Sequence, residues 1–251
     1  MKTPLRIAMW SGPRNISTAL MRAWENRGDC AVSDEPLYAA YLAATGADHP
    51  LRAHVIAAGE TDWRNVMAEL MGPVPGGNPI WYQKQMSHHL LPGMLSQESV
   101  RNWIFGLANV LLIRDPREVV ASYLKARATV TPDDIGLPQQ VAIHDVLCAA
   151  SNPPPIIDAG DFLRAPEAYL RALCDLFDIA FTDRMLTWPP GARDSDGVWA
   201  PHWYGHVWES TGFEPRADAP AVRLPSAGAR VAEACMPHYQ RLHAQRLQLV
   251  H

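Results

Sequence analysis

The feature that most constrains the chain is its start. The apolar run LRIAMW at residues 5 to 10 leads into SGPRNIST, and a helical pattern follows from about Ser17 to Asn26, with Gly28 as its stop signal. This reads as a buried strand, a tight turn and a helix. CAVSDEP reads as a second short strand ending in acidic residues, and IWYQKQM (80 to 86) as a third. NVLLIR (109 to 114) is the clearest buried strand, followed by a helix with Pro116 in its first turn, where the missing N–H costs nothing. PPIIDAGDFL (154 to 163) contains another strand. Helical patterns fill residues 36 to 70, broken near Gly46 to Pro50, then about 97 to 105, the segment APEAYLRALCDLFDI, and 226 to 249. GPVPGGNP (72 to 79) is a loop by composition, and a long loop rich in aromatics and histidine runs from Trp188 to Phe213. Strands alternating with helices imply an α/β fold with a central parallel sheet covered on both faces, a three-layer sandwich. With no internal repeat and no long linker, residues 1 to 251 read as one domain.

Ligands of such sheets bind at the carboxyl ends of the strands. That brings the turns at 11 to 18, 33 to 37 and 114 to 118 to one rim. In the first turn, free backbone N–H groups at a helix start attract an anion. Arg14 adds a forked, permanently charged donor array, and Ser17 and Thr18 add hydroxyls. An ordinary helix start capped by Asn15 or Ser17 is the plainer alternative. The Gly-Lys-Ser/Thr of a triphosphate loop, with its Mg2+-binding hydroxyl, is missing. The second unit, LLIRDPREVVASYLK, ends its strand on Arg114 and carries Ser122 eight residues later. Pairing of Arg114 with Asp115 or Asp161 is the plainer alternative there.

Bulk properties exclude more than they select. A hydrophobic fraction of 48% suffices for a sizeable core, and a net charge of -4 gives no general pull toward nucleic acid or an anionic membrane. No uninterrupted apolar stretch is long enough for a membrane span, and no signal peptide is evident. Cys30, Cys148, Cys174 and Cys235 form no Cys-x-x-Cys pair, which suits reduced thiols in a cytoplasmic protein.

The stretch SGPRNISTAL resembles the 5'-phosphosulfate loop of the sulfotransferase family, whose members use 3'-phosphoadenosine 5'-phosphosulfate (PAPS). Bacterial and carbohydrate-type members commonly read Pro-Arg-Ser-Gly-Thr-Thr there. Pro13, Arg14, Ser17 and Thr18 match by position, Asn15 replaces a serine, and Ile16 replaces a glycine. Isoleucine resists positive φ, so either the turn is built differently here or its hold on an anion is weaker. Arg114 and Ser122 have the spacing of the family's 3'-phosphate pair, inside a segment similar to Arg-Asp-Pro-Arg-Asp-Val-Val-x-Ser-Tyr. GDFLRAPEAYLRALCDLFDI and SDEPLYAAYL look like two further family stretches, so the resemblance runs from Arg6 to about Trp188. It implies a P-loop nucleotide-hydrolase-like (sulfotransferase) fold and sulfuryl transfer from PAPS to a hydroxyl or amine of a small-molecule or carbohydrate acceptor. It implies Gly12, Pro13, Arg14, Asn15, Ser17, Thr18, Arg114 and Ser122 as PAPS-binding residues, with no metal required.

Two candidates for the general base stay open. Carbohydrate-type relatives point to Glu35, although Asp34 or Glu35 before Pro36 also suits a helix-terminal acid. Cytosolic sulfotransferases carry a histidine in Lys-Thr-His-Leu-Pro, which points loosely to His88 or His89 in KQMSHHLLP. Lys84 would assist near the transferring group. In GVWAPHWYGHVWESTGF, Trp203, Tyr204 and Trp208 offer stacking faces and Ser210 or Thr211 could reach a phosphate; a satellite hydrophobic cluster is the alternative. His202 and His206 have metal-ligand spacing but no evident third ligand. The rival functions are a P-loop kinase of the same fold and a nucleotide-binding homologue without catalysis.

Overall fold

The computed structural model describes residues 3–214 and 222–249. Five strands form one parallel sheet: β1 (Leu5–Ser11), β2 (Cys30–Asp34), β3 (Ile80–Met86), β4 (Ala108–Ile113) and β5 (Ile156–Asp158), in the order β2-β3-β1-β4-β5. Strand alternation splits the core in two. Ala8, Trp10, Leu111 and Ile113 face one layer with the helices Trp63–Met71, Glu98–Phe105, Pro116–Tyr123, Leu137–Ala149 and Ser226–His243. Ile7, Met9, Val110 and Leu112 face the other, under the helices Ser17–Asn26, Ala159–Arg164 and Pro166–Leu176. The three-layer α/β sandwich with a parallel sheet is therefore as expected.

β1 lies between β3 and β4, and the chain leaves it in one direction for β2 and β3 and in the other for β4 and β5. This is the switch point at which such sheets open a crevice at their carboxyl ends. The turn after β1, Asp34 at the end of β2 with Glu35 beyond it, Lys84 and the histidines at the end of β3, and Arg114 after β4 all meet there.

Three segments differ from expectation for identifiable reasons. β5 is only Ile156–Asp158, because the Asp158 carboxylate caps the next helix, accepting from the N–H of Gly160 at 2.9 Å and of Asp161 at 3.1 Å. The last helix stops at His243 rather than 249. Beyond it the Leu247 N–H donates to the Ile156 carbonyl at 2.7 Å, so the tail is drawn to the sheet. The helix Leu137–Ala149 was not anticipated; its buried face carries the polar Gln140 and His144 and its exposed side Cys148 and Ala149, so its sequence shows no apolar stripe. From it, Gln140 Nε2 donates to the carbonyls of Trp10 and Leu112, both at 3.0 Å, tying together the ends of β1 and β4. No helix among the described residues is long and apolar enough to cross a membrane.

Gly12 serves this packing. A Cβ there would lie 2.1 Å from the Ile135 carbonyl oxygen, so the short helix Pro132–Ile135 can close on the turn only if position 12 has no side chain. Gly12→Ala is expected to lower stability by about 1–3 kcal/mol, read as a lower urea midpoint at unchanged slope.

Candidate functional site

A cavity of about 460 Å³ opens at the switch point, walled by the first turn, the ends of β2 and β3, the turn after β4 and the 199–214 segment. Its floor is the turn after β1. Arg14 takes the left-handed conformation there (φ 53°), while Ile16 sits at φ −85°. The turn is thus built differently and isoleucine strains no backbone at position 16: the positive φ lies two residues earlier, and Ile16 packs on the core beneath. Asn15 fixes the turn, its Nδ2 donating to the Leu112 carbonyl at 3.1 Å and its Oδ1 accepting the Ile16 N–H at 3.0 Å. Ser17 and Thr18 begin the helix and line the cavity, as do Pro13 and Asn15. Gly12 does not line it.

The two arginines form one unit. Arg14 Nε donates to Ser122 Oγ at 3.0 Å, and Arg114 Nη1 donates to the Arg14 carbonyl at 2.9 Å. Arg114 also pairs with Glu118 at 3.0 Å, not with Asp115 or Asp161. Arg14 has no carboxylate partner among the described residues, and its guanidinium lies 5.9 Å from the Trp203 ring centre. Burial, and then the neighbouring Arg114 charge, hold its pKa below the usual arginine value. A half-buried cation with no carboxylate partner among the described residues, next to a second guanidinium, has the charge to suit an anion.

The opposite wall holds a compact charge cluster. Lys84 and Asp34 are register partners on β3 and β2, so their side chains share one face. Lys84 Nζ donates to Asp34 Oδ1 at 2.8 Å, Glu35 Oε1 at 2.7 Å and Tyr204 Oη at 2.6 Å. Glu35 is held at φ 44°, its N–H donating to the Lys84 carbonyl at 2.9 Å. Burial pushes the Glu35 carboxyl up; Lys84 opposes this and Asp34 adds to it. Burial alone would pull Lys84 down, but the two carboxylates hold it well above the usual lysine value.

His88 and His89 lie beside this cluster, buried among aromatics. The His89 ring stacks between Tyr38 (4.9 Å) and Tyr41 (4.8 Å), and Tyr38 Oη bonds His49 Nδ1 at 2.9 Å. The Nδ1 atoms of both residues find no hydrogen-bond partner. Burial lowers His88 to about 4 and, with the other histidines and Lys84, holds His89 well below the usual histidine value. Both line the cavity as neutral imidazoles near pH 7.

The 188–213 segment forms a roof, with short helices at Ala200–Trp203 and Gly205–Glu209. Asp196 fastens it, pairing with the buried Arg22 at 2.6 Å and accepting from Trp208 Nε1 at 2.9 Å. Of the residues expected there, Trp203 and Ser210 line the cavity, whereas Trp208 is tied to Asp196 and Thr211 is exposed. Ser210 Oγ is committed to the Val207 carbonyl at 2.8 Å and accepts from Trp188 Nε1 at 3.1 Å. Tyr204 is part of the charge cluster rather than a free stacking face. Asp34, Tyr38, His49 and Trp199 were not foreseen at the site. Among them Asp34 alone carried a sequence signal, its place beside Glu35 at the end of the second strand.

The model of a family described as "Sulfotransferase domain" matches residues 5–246. Two Arabidopsis thaliana proteins are similar to the chain. "Branched-chain-amino-acid aminotransferase-like protein 1" is 37% identical over 244 residues, which is 97% of this chain and 42% of that protein. "Branched-chain-amino-acid aminotransferase-like protein 2" is 36% identical over 236 residues, 94% of this chain and 41% of that protein. The chain thus spans less than half the length of these relatives. In fold it is similar to a sulfotransferase from Alicyclobacillus acidocaldarius, with a TM-score of 0.55 at 12% identity, covering 99% of this chain and 98% of that one.

The histidines carry a pH signature. A His88 value of about 4 in the fold against 6.5 unfolded means its stabilisation is fully present above pH 6.5 and is lost as pH falls toward 4. Between about pH 8 and about pH 5 this one residue removes about 2 kcal/mol. Urea unfolding of His88→Gln at the two pH values is expected to show a drop smaller than wild type by that amount.

Proposed function

Because the chain belongs to the sulfotransferase domain family, we propose that it moves a sulfuryl group from PAPS to a hydroxyl or amine of a small-molecule or carbohydrate acceptor. The observation that carries this reading is the Arg14–Ser122–Arg114 unit, which joins cationic groups from two strand-turn-helix units at one end of the cavity. A donor with phosphates at both its 3' and 5' positions fits two such groups held together. In the reaction the acceptor oxygen bonds to sulfur as the bond from sulfur to the bridging phosphate oxygen breaks, and that electron pair leaves with the phosphate.

Each wall then has a task. Arg14, Ser17, Thr18 and the N–H groups of the first turn meet the charge that grows on the leaving phosphate. Arg114 and Ser122 take the 3'-phosphate and so fix the donor's direction. Glu35, its pKa raised, takes the acceptor's proton. The neutral histidines fit this role less well, because burial weakens them as bases. They contribute polar edges to the acceptor's wall. Lys84 sits beside Glu35, where its charge assists the group in transfer.

A kinase reading is less well supported. It asks for a lysine on the terminal phosphate and a Mg2+ ligand at the first turn; that turn has no lysine, and Lys84 is bound to two carboxylates.

Thermal unfolding separates the two. 3'-Phosphoadenosine 5'-phosphate is expected to raise Tm, and Arg14→Ala or Arg114→Ala to weaken its binding about 10- to 100-fold. A shift with ATP and Mg2+ alone would overturn the reading. In an assay of sulfuryl transfer from PAPS to a panel of alcohols and amines, Glu35→Gln is expected to lower turnover by about 10²- to 10⁴-fold, with donor binding kept.

A further inference from the structure

Lys84 meets two carboxylates that are not equivalent. The Asp34 side chain is 2% exposed and does not line the cavity; the Glu35 side chain is 13% exposed and does. Asp34 gathers donors from three directions. Lys84 Nζ reaches it at 2.8 Å from β3, Tyr204 Oη at 2.8 Å from the roof, and the Gly197 N–H at 3.1 Å from the roof's approach. Tyr204 is itself held by Trp199 Nε1, which donates to its oxygen at 3.2 Å. A carboxylic acid at position 34 would set its own proton against one of these donors, so the hydrogen bonds call for a carboxylate there.

The charge count points the same way. One ammonium and two carboxylates carry a net charge of −1, and one added proton makes the cluster neutral. A buried cluster favours neutrality. Placed on Glu35, the proton leaves Lys84 paired with Asp34. Placed on Asp34, it is set against one of the three donors that Asp34 now accepts from.

We propose that Asp34, positioned by Tyr204, is the standing counter-ion of Lys84, and that this leaves Glu35 free to take up a proton from a molecule in the cavity. That the proton comes from a sulfuryl acceptor rests on the function proposed above; the division of labour between the carboxylates does not. The raised Glu35 pKa accords with it. Besides Asp34, Lys84 and Tyr204, the groups sharing the cavity with Glu35 are Arg14 and Arg114 from the turns and Tyr38 and His49 from the segment after β2. His88 and His89 face it from the end of β3, Tyr123 from the helix after β4, and His206 and Glu214 from the roof.

The test is a pH titration of the side-chain carboxyl carbons by NMR in the full chain, with the Glu35 signal assigned through Glu35→Gln. In the wild type the Glu35 midpoint is expected above the usual carboxylate range. In Asp34→Asn, Lys84 has Glu35 as its one carboxylate within the cluster, and the midpoint is expected to fall by about one pH unit or more. An Asp34→Asn midpoint equal to or above the wild type would overturn the proposal. Should that variant fail to fold, the wild-type titration decides alone: a Glu35 midpoint within or below the usual range overturns it. Thermal shift with 3'-phosphoadenosine 5'-phosphate keeps the two readings apart. Its absence beside the expected titrations removes the sulfuryl acceptor and leaves the charge assignment standing; its presence beside a contrary titration removes the charge assignment alone.

Discussion

A single buried ammonium organises one half of the site. Lys84 is 1% exposed, and a charge so far from water is tolerated only where carboxylates and hydrogen bonds surround it. Those partners come from the end of β2, the residue beyond it, and the roof. The cluster therefore joins pieces of chain far apart in sequence, and truncating one member of such a buried set costs about 3–5 kcal/mol. The arginine unit on the opposite wall is the contrasting case. Arg14 is given a hydroxyl and an aromatic face but no carboxylate among the described residues. One wall surrounds its cation with carboxylates, and the other gives Arg14 none among the described residues.

The backbone repeats this contrast. Arg14 and Glu35, the residues that open the two walls, both adopt positive φ. For residues with a Cβ this conformation is strained and persists only where surrounding contacts hold it. At Glu35 the holding contacts are its N–H to the Lys84 carbonyl and its carboxylate to the Lys84 ammonium. At Arg14 they are the carbonyl accepted by Arg114 and the Nε given to Ser122.

Much of this was legible in the sequence because it follows from local pattern. The strands at 5 to 11, 80 to 86 and 108 to 113 were legible as apolar runs closed by turn residues, and their alternation with helices led to the parallel sheet. Arg14 and Arg114 stood out because each lies in a strand-ending turn, and Ser122 because its spacing from Arg114 resembles the family's pair. Other features depend on contacts that spacing does not encode. Ile16 looked like an obstacle because the positive φ was placed on it by analogy, whereas the turn puts it on Arg14. Tyr204 looked like a stacking face because its neighbours are aromatic; its hydroxyl's partner, Asp34, is 170 positions away. The helix Leu137–Ala149 carried no amphipathic stripe because the polar Gln140 and His144 lie on its buried face while Cys148 and Ala149 are exposed.

The fastening of the roof has a kinetic meaning. Asp196 neutralises Arg22, which is 1% exposed, and the Gly197 N–H and Tyr204 hydroxyl complete the shell of Asp34. Swinging the segment away as a lid would uncover two buried ion pairs in the same movement, so its closed position is favoured by electrostatics as well as packing.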